Sequence, residues 1–142
     1  MHIHILWVIL SAGILVPTLP RIVVPLLIED RYYDTFDSMF LADPIRAFGV
    51  LLWTGLPFIG LALFTWLQLR KDNFSVKQRK KFLIRILGTL LPTFALGCWI
   101  HLPQTVAGVN FGLVLFPVYA GILMPIMYLV FGDVADKILG KD

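Results

Sequence analysis

The sequence predicts an all-α protein that crosses a membrane four times, and two observations lead to this fold class. Of the 142 residues, 58% are hydrophobic and 15% are charged, whereas soluble domains carry roughly 25% charged residues. The apolar residues also form four stretches, each long enough for the ~20 residues that a helix needs to cross the hydrocarbon core. A single transmembrane domain over 1–142 is therefore expected, with spans at 3–28, 45–69, 83–102 and 111–132.

The first apolar stretch is interpreted as a retained helix and not as a signal peptide. It lacks the basic leading segment and the small-residue cleavage site of secretory signals. It contains Pro17, Pro20 and Pro25, and because proline has no backbone N–H, this first helix is predicted to be kinked. The second helix has an N-terminal signature, with Asp43 as its N-cap and Pro44 at its first position.

The charges of the connecting segments predict an orientation. Segment 70–81 carries six basic residues and one acidic residue, whereas segment 29–43 carries five acidic residues and one basic residue. Short loops rich in Lys and Arg stay in the cytoplasm, so 70–82 is predicted as a cytoplasmic loop and 29–43 as an outer acidic loop. Both termini then lie inside, and the expected location is the bacterial inner (plasma) membrane.

Arg21 is the main candidate for an intramembrane site. It precedes Glu29 by eight residues, about 12 Å along a helix, and ionisable side chains at such depth usually face a cavity or a partner. One interpretation makes it the floor of an outward-facing pocket for an anion, a lipid phosphate or a quinone carbonyl. The other has Arg21 reaching headgroups or paired with an acidic residue, the candidates being Glu29, Asp30 and Asp43.

His101 and Gln104 form a second candidate, because both could orient a quinone carbonyl or a partner's backbone at the outer surface. The alternative is an interfacial histidine beside Trp99. His2 and His4 fall at the opposite end of the predicted bundle, which disfavours a haem held between histidines of one chain, although a haem shared with another subunit stays open. Cys98 is the only cysteine. No metal site and no cofactor are assigned.

The basic loop is expected to contact anionic lipid headgroups, although setting the topology would by itself explain its charge. Nucleic acid is not expected as a partner, because the segment is short and has no aromatic platform. Two further cations near span ends, Arg46 and Arg85, are interpreted as snorkelling to headgroups. The candidate lipid contacts are Arg70, Lys71, Lys77, Arg79, Lys80 and Lys81.

The sequence carries no GxSxG, HExxH, Walker-type or GxGxxG motif. An enzyme acting alone is therefore disfavoured, no catalytic residue is assigned, and enzymatic activity is left open. The leading hypothesis is a small non-catalytic membrane subunit that stabilises or assembles a larger complex, with other subunits or its own copies as partners in the bilayer. The alternatives are an oligomeric channel or carrier for small solutes or anions that uses Arg21, and a quinone- or haem-associated anchor of a redox complex.

Overall fold

The computed structural model describes residues 2–27, 43–71, 74–101 and 111–141. Within these residues the chain forms four helices and no strand: α1 (His2–Leu27), α2 (Pro44–Leu69), α3 (Val76–Ile100) and α4 (Phe111–Leu139). All four are long and apolar enough to cross a membrane. The predicted all-helical bundle with four candidate spans is thus confirmed, and it is compatible with an integral membrane protein.

Local capping explains where α2 and α3 begin. The Asp43 carboxylate accepts a hydrogen bond of 3.0 Å from the Arg46 backbone N–H, and Pro44 follows it, as predicted. At α3, the Ser75 hydroxyl accepts from the Gln78 backbone N–H at 3.2 Å, and the Gln78 side chain accepts from the Ser75 N–H at 3.0 Å. This reciprocal capping box satisfies two donors that a helix start otherwise leaves unpaired.

The helices extend past the apolar stretches at one end of the bundle. Helix α3 begins at Val76 and α4 continues to Leu139, so both include polar turns outside the stretches 83–102 and 111–132. The capping box at Ser75 starts α3 early, and nothing breaks α4 until Gly140, whose φ of 79° is left-handed. Hydropathy marks the apolar part of a helix, whereas capping residues mark its ends.

The helices pack as two antiparallel hairpins. Helix α1 lies against α2 and α3 lies against α4, with lesser contacts between α1 and α3 and between α2 and α4. The centre is apolar, and its fully buried side chains come from all four helices. They include Ile9, Val16, Phe58, Ile86 and Phe116.

Two glycines of α3 receive bulky side chains from neighbouring helices. A Cβ atom on Gly88 would overlap the ring of Phe131 on α4, and one on Gly97 would lie 2.6 Å from a methyl carbon of Val16 on α1. Glycine lets membrane helices approach closely because it has no side chain. The glycines of α2 behave differently: at Gly60, an added Cβ would meet nothing within 4 Å.

Buried threonine hydroxyls are satisfied inside their own helices. Thr54 donates to the Val50 carbonyl, Thr65 to Leu61 and Thr89 to Arg85, over 2.7 to 2.8 Å. Such bonds to the carbonyl four residues earlier satisfy the hydroxyl without a partner helix. The hydroxyl groups of these threonines therefore do not need hydrogen-bond partners at the centre of the bundle.

Candidate functional site

The antiparallel packing gives the bundle two chemically different ends. The basic end, as we name it, contains the C-terminus of α2, the N-terminus of α3 and the C-terminus of α4. The far end contains the C-termini of α1 and α3 and the N-terminus of α4. Arg21 and His101 lie at the far end, whereas Lys81, Arg85 and Asp136 lie at the basic end.

Arg21 at the far end is half-buried. Its guanidinium donates a hydrogen bond of 2.5 Å to the Pro17 carbonyl, one turn earlier on the same helix. The side chain therefore runs back along α1, in the direction that helical geometry favours for long side chains. One of its N–H donors therefore binds a carbonyl of its own helix.

His101 caps the C-terminus of α3 and is buried. Its Nδ1 lies 2.7 Å from the Gly97 carbonyl, so Nδ1 carries the proton and donates. The ring also meets Phe116 edge-on, with centroids 6.3 Å apart. Burial lowers the pKa of His101 to about 4; the bond to Gly97 acts against this shift and the charge of Arg21 adds to it. The imidazole is therefore neutral at pH 7, and it lies within electrostatic reach of Arg21.

Three of the other predicted far-end residues, Glu29, Asp30 and Gln104, lie outside the described residues. Asp43 is described, and its carboxylate caps α2. The structure thus brings together Arg21 and His101, the two candidates that the sequence singled out first. In the described part of the chain, no group of three or more His, Cys, Asp or Glu side chains is placed to hold a metal ion.

The predicted lipid-contacting cations all lie near the basic end but differ in their surroundings. Lys71 and Lys80 are exposed, and the Arg70 guanidinium stacks over the Trp66 ring at 4.7 Å from its centroid. Lys77 donates to the Lys141 carbonyl at 3.0 Å, which ties the start of α3 to the residues after α4.

Lys81 is set apart from these surface cations by its burial. Its side chain is 6% exposed, and its Nζ lies 2.8 Å from the Asp136 carboxylate. Asp136 comes from α4, so the pair joins the two helices of the second hairpin. A short charge-assisted contact of this kind is stronger than a neutral hydrogen bond.

A pocket of about 250 Å³ opens beside this pair, between α2, α3 and α4. Its lining is amphipathic, with aromatic rings next to amide and cationic groups. The aromatic residues are Phe74, Phe82 and Tyr128. The polar residues are Gln68, Gln78, Lys81 and Arg85. We call this cavity the basic-end pocket.

Arg85 lines the basic-end pocket about two helical turns beyond Gln78 along α3. Its guanidinium carbon lies 5.6 Å from the centroid of the Tyr128 ring, a cation–π arrangement. Its Nε is buried and has no hydrogen-bond acceptor among the described residues. Gly132 of α4 leaves room for the guanidinium, since an added Cβ would lie 3.1 Å from this Nε.

Sequence reasoning did not identify the basic-end pocket. Arg85 is interpreted above as a snorkelling cation, and Asp136 falls in the tail after the fourth apolar stretch. One signal in the sequence could have indicated it. If α3 and α4 are antiparallel, the register that pairs Lys81 with Asp136 also places Arg85 opposite Gly132. Only a prediction that extended both helices beyond their apolar stretches would have brought these residues together.

The fold defines a class of protein: a four-helix bundle in which each helix is long and apolar enough to cross a membrane. No protein-family model, curated protein or solved structure matches the chain.

Proposed function

We propose that the protein is a small non-catalytic membrane subunit that stabilises or assembles a larger membrane complex, with α4 as its docking helix. The exposure of α4 supports this most directly. In its candidate span 11% of the residues are buried inside the bundle, against 33% to 39% in the other three helices. The bundle therefore leaves most of the surface of α4 available to a partner.

The exposed surface of α4 has the spacing of a helix-packing seam. Five of its exposed large residues are separated alternately by four and three positions, which places them along one face of the helix. The five seam residues are Leu115, Tyr119, Ile122, Ile126 and Leu129.

The alternative functions have less support from the geometry. For a channel or carrier that uses Arg21, the guanidinium would have to face a pathway, but it donates to its own helix. For a quinone or haem anchor at His101, the ring would have to be reachable, but it is 4% exposed and its Nδ1 is bound to Gly97.

In the proposed topology the basic end faces the cytoplasm of a bacterial cell and both termini lie inside. The reason is the excess of Lys and Arg in segment 70–82. Cysteine variants at exposed Lys71 and exposed Ile45 would test this with a membrane-impermeant thiol reagent in intact cells. In a Cys98→Ser background, we expect Ile45→Cys to be labelled and Lys71→Cys to be protected. The reverse labelling pattern would show that the protein has the opposite orientation.

The docking function is tested by photo-crosslinking in native membranes combined with native mass spectrometry. A photoreactive amino acid at Ile122 on the α4 seam should give a discrete protein adduct. The same substitution at Ile14 of α1, which is similarly exposed, should react mainly with lipid. A protein that stays a lone monomer in mild detergent, with no adduct at Ile122, would rule out the proposal.

A further inference from the structure

We propose that the basic-end pocket is a binding site for a phosphate ester, with the Arg85 guanidinium as its principal contact. This goes beyond the surface contacts expected of the exposed lysines, because the site is a pocket lined by side chains of three helices. It is also separate from the α4 seam, so it does not depend on the proposed docking function.

The charges of the pocket favour an anionic ligand. Lys81 and Arg85 carry two positive charges and Asp136 one negative charge, which leaves one net positive charge. Asp136 engages Lys81 directly at 2.8 Å, and its charge also acts on Arg85. The buried Nε of Arg85 has no hydrogen-bond acceptor among the described residues, so Arg85 is the cation better placed to meet a ligand. A phosphodiester carries one negative charge, and a guanidinium offers it a planar fork of donors.

The Arg85 side chain is already held in place before any ligand arrives. The Tyr128 ring supports the guanidinium on one side, and the backbone of α4 at Gly132 lies beside its Nε. Because the guanidinium is fixed by packing, less rotational freedom is lost when an anion binds. Gln68 and Gln78 line the same pocket, and their amides can donate to the remaining phosphate oxygens.

The mixed lining also indicates an amphiphilic ligand. Phe74 and Phe82 border the same cavity as the cationic groups, and their rings lie 5.9 Å apart. A cavity of about 250 Å³ lined by both polar and aromatic side chains suits a phosphate that carries a glycerol or similar carbon group. Such a ligand can come from an anionic phospholipid headgroup or from a soluble phosphate ester.

Binding to the purified full-length protein in mild detergent would separate these sources. The probes are dioleoylphosphatidylglycerol, its headgroup-free counterpart dioleoylglycerol, sn-glycerol 3-phosphate and inorganic phosphate. Native mass spectrometry measures lipid binding, and the ligand-induced rise in Tm measures all four. Arg85→Gln removes the charge within the pocket, and Lys137→Gln is the matched control, since Lys137 is an exposed cation at the same end of the bundle and does not line the pocket.

We expect Arg85→Gln to weaken phosphatidylglycerol binding about tenfold, with Lys137→Gln within about twofold of wild type. Dioleoylglycerol should bind the two variants equally. If glycerol 3-phosphate or phosphate binds in a way that depends on Arg85, and phosphatidylglycerol does not bind, the proposed site is supported and its ligand is a soluble phosphate. Equal effects of the two substitutions, or none from either, would overturn the proposal in favour of surface electrostatics.

A second variant keeps the test valid if Arg85→Gln perturbs folding, which circular dichroism and gel filtration would reveal. Gln68→Leu leaves the backbone carbonyl that accepts from the Lys71 N–H and removes only the amide from the pocket. It should weaken binding about threefold. If Arg85→Gln does not fold, unchanged affinity for every probe in Gln68→Leu would exclude the basic-end pocket as the site.

Discussion

The ammonium group of Lys81 lies 2.8 Å from the Asp136 carboxylate and joins α3 to α4, with the lysine side chain almost fully buried. Removing one partner of a buried pair leaves the other charge without compensation, which costs more than the pair itself contributes. The two partners differ in exposure, 6% for the lysine side chain and 30% for the aspartate. The two single substitutions should therefore have unequal effects.

Asp136→Asn should destabilise the protein, because it leaves the buried Lys81 charge without its carboxylate. Lys81→Met should cost less, since the more exposed Asp136 can be hydrated. The free energy of unfolding in detergent would measure both. Asp133→Asn is the matched control, being an exposed aspartate on the same helix, and an equal loss in it would contradict the role of the ion pair.

Gly88→Ala should destabilise the α3–α4 hairpin by about 1–3 kcal/mol, because the added methyl group overlaps the Phe131 ring. Gly60→Ala is the control, since its Cβ would meet nothing within 4 Å. Thermal unfolding in detergent should show a lower Tm for the first variant only. In the double variant with Phe131→Leu, the smaller side chain should restore part of the loss; a double variant that loses more than Gly88→Ala would count against this packing.

Ser75→Ala should cost about 1 kcal/mol by removing the acceptor for the Gln78 N–H at the start of α3. The first turn of α3 should then exchange its amide hydrogens faster, which hydrogen exchange with mass spectrometry would localise to 76–80. Ser11→Ala, at an exposed position within α1, should leave this region unchanged. Equal protection of residues 76–80 in Ser75→Ala and wild type would contradict the capping box.

His101 should make the stability depend on pH in a defined window. Its pKa is about 4 in the folded protein and about 6.5 in an unfolded chain, so the unfolded state binds more protons between these values. The stability contributed by the neutral ring is complete above about pH 6.5 and is lost as pH falls toward 4. His101→Gln should show a smaller drop in Tm between pH 7 and pH 4.5 than wild type, and an identical drop would exclude this linkage.

The sequence was sufficient to predict the four helices and the cap of α2, because long apolar stretches and the pair Asp43 and Pro44 are local signals. It did not show which way each helix faces. Gly60 and Gly88 both lie within apolar stretches of the sequence, yet of these two only Gly88 packs against an aromatic ring. Arg85 was interpreted from its distance to the span end, whereas its contacts with Tyr128 and Gly132 depend on the rotation of α3 against α4.

The bond between Lys77 and the Lys141 carbonyl has a practical consequence for measuring motion. This bond connects the residues after α4 to the first turn of α3, and an added Cβ at Gly140 would lie 3.7 Å from the Lys77 Nζ. A fluorophore attached at position 141 should therefore rotate together with the α3–α4 hairpin and not independently of it. Its polarisation would report the tilt of the hairpin, and Lys77→Ala, which releases the fastening, would show how much of that signal is lost to independent rotation.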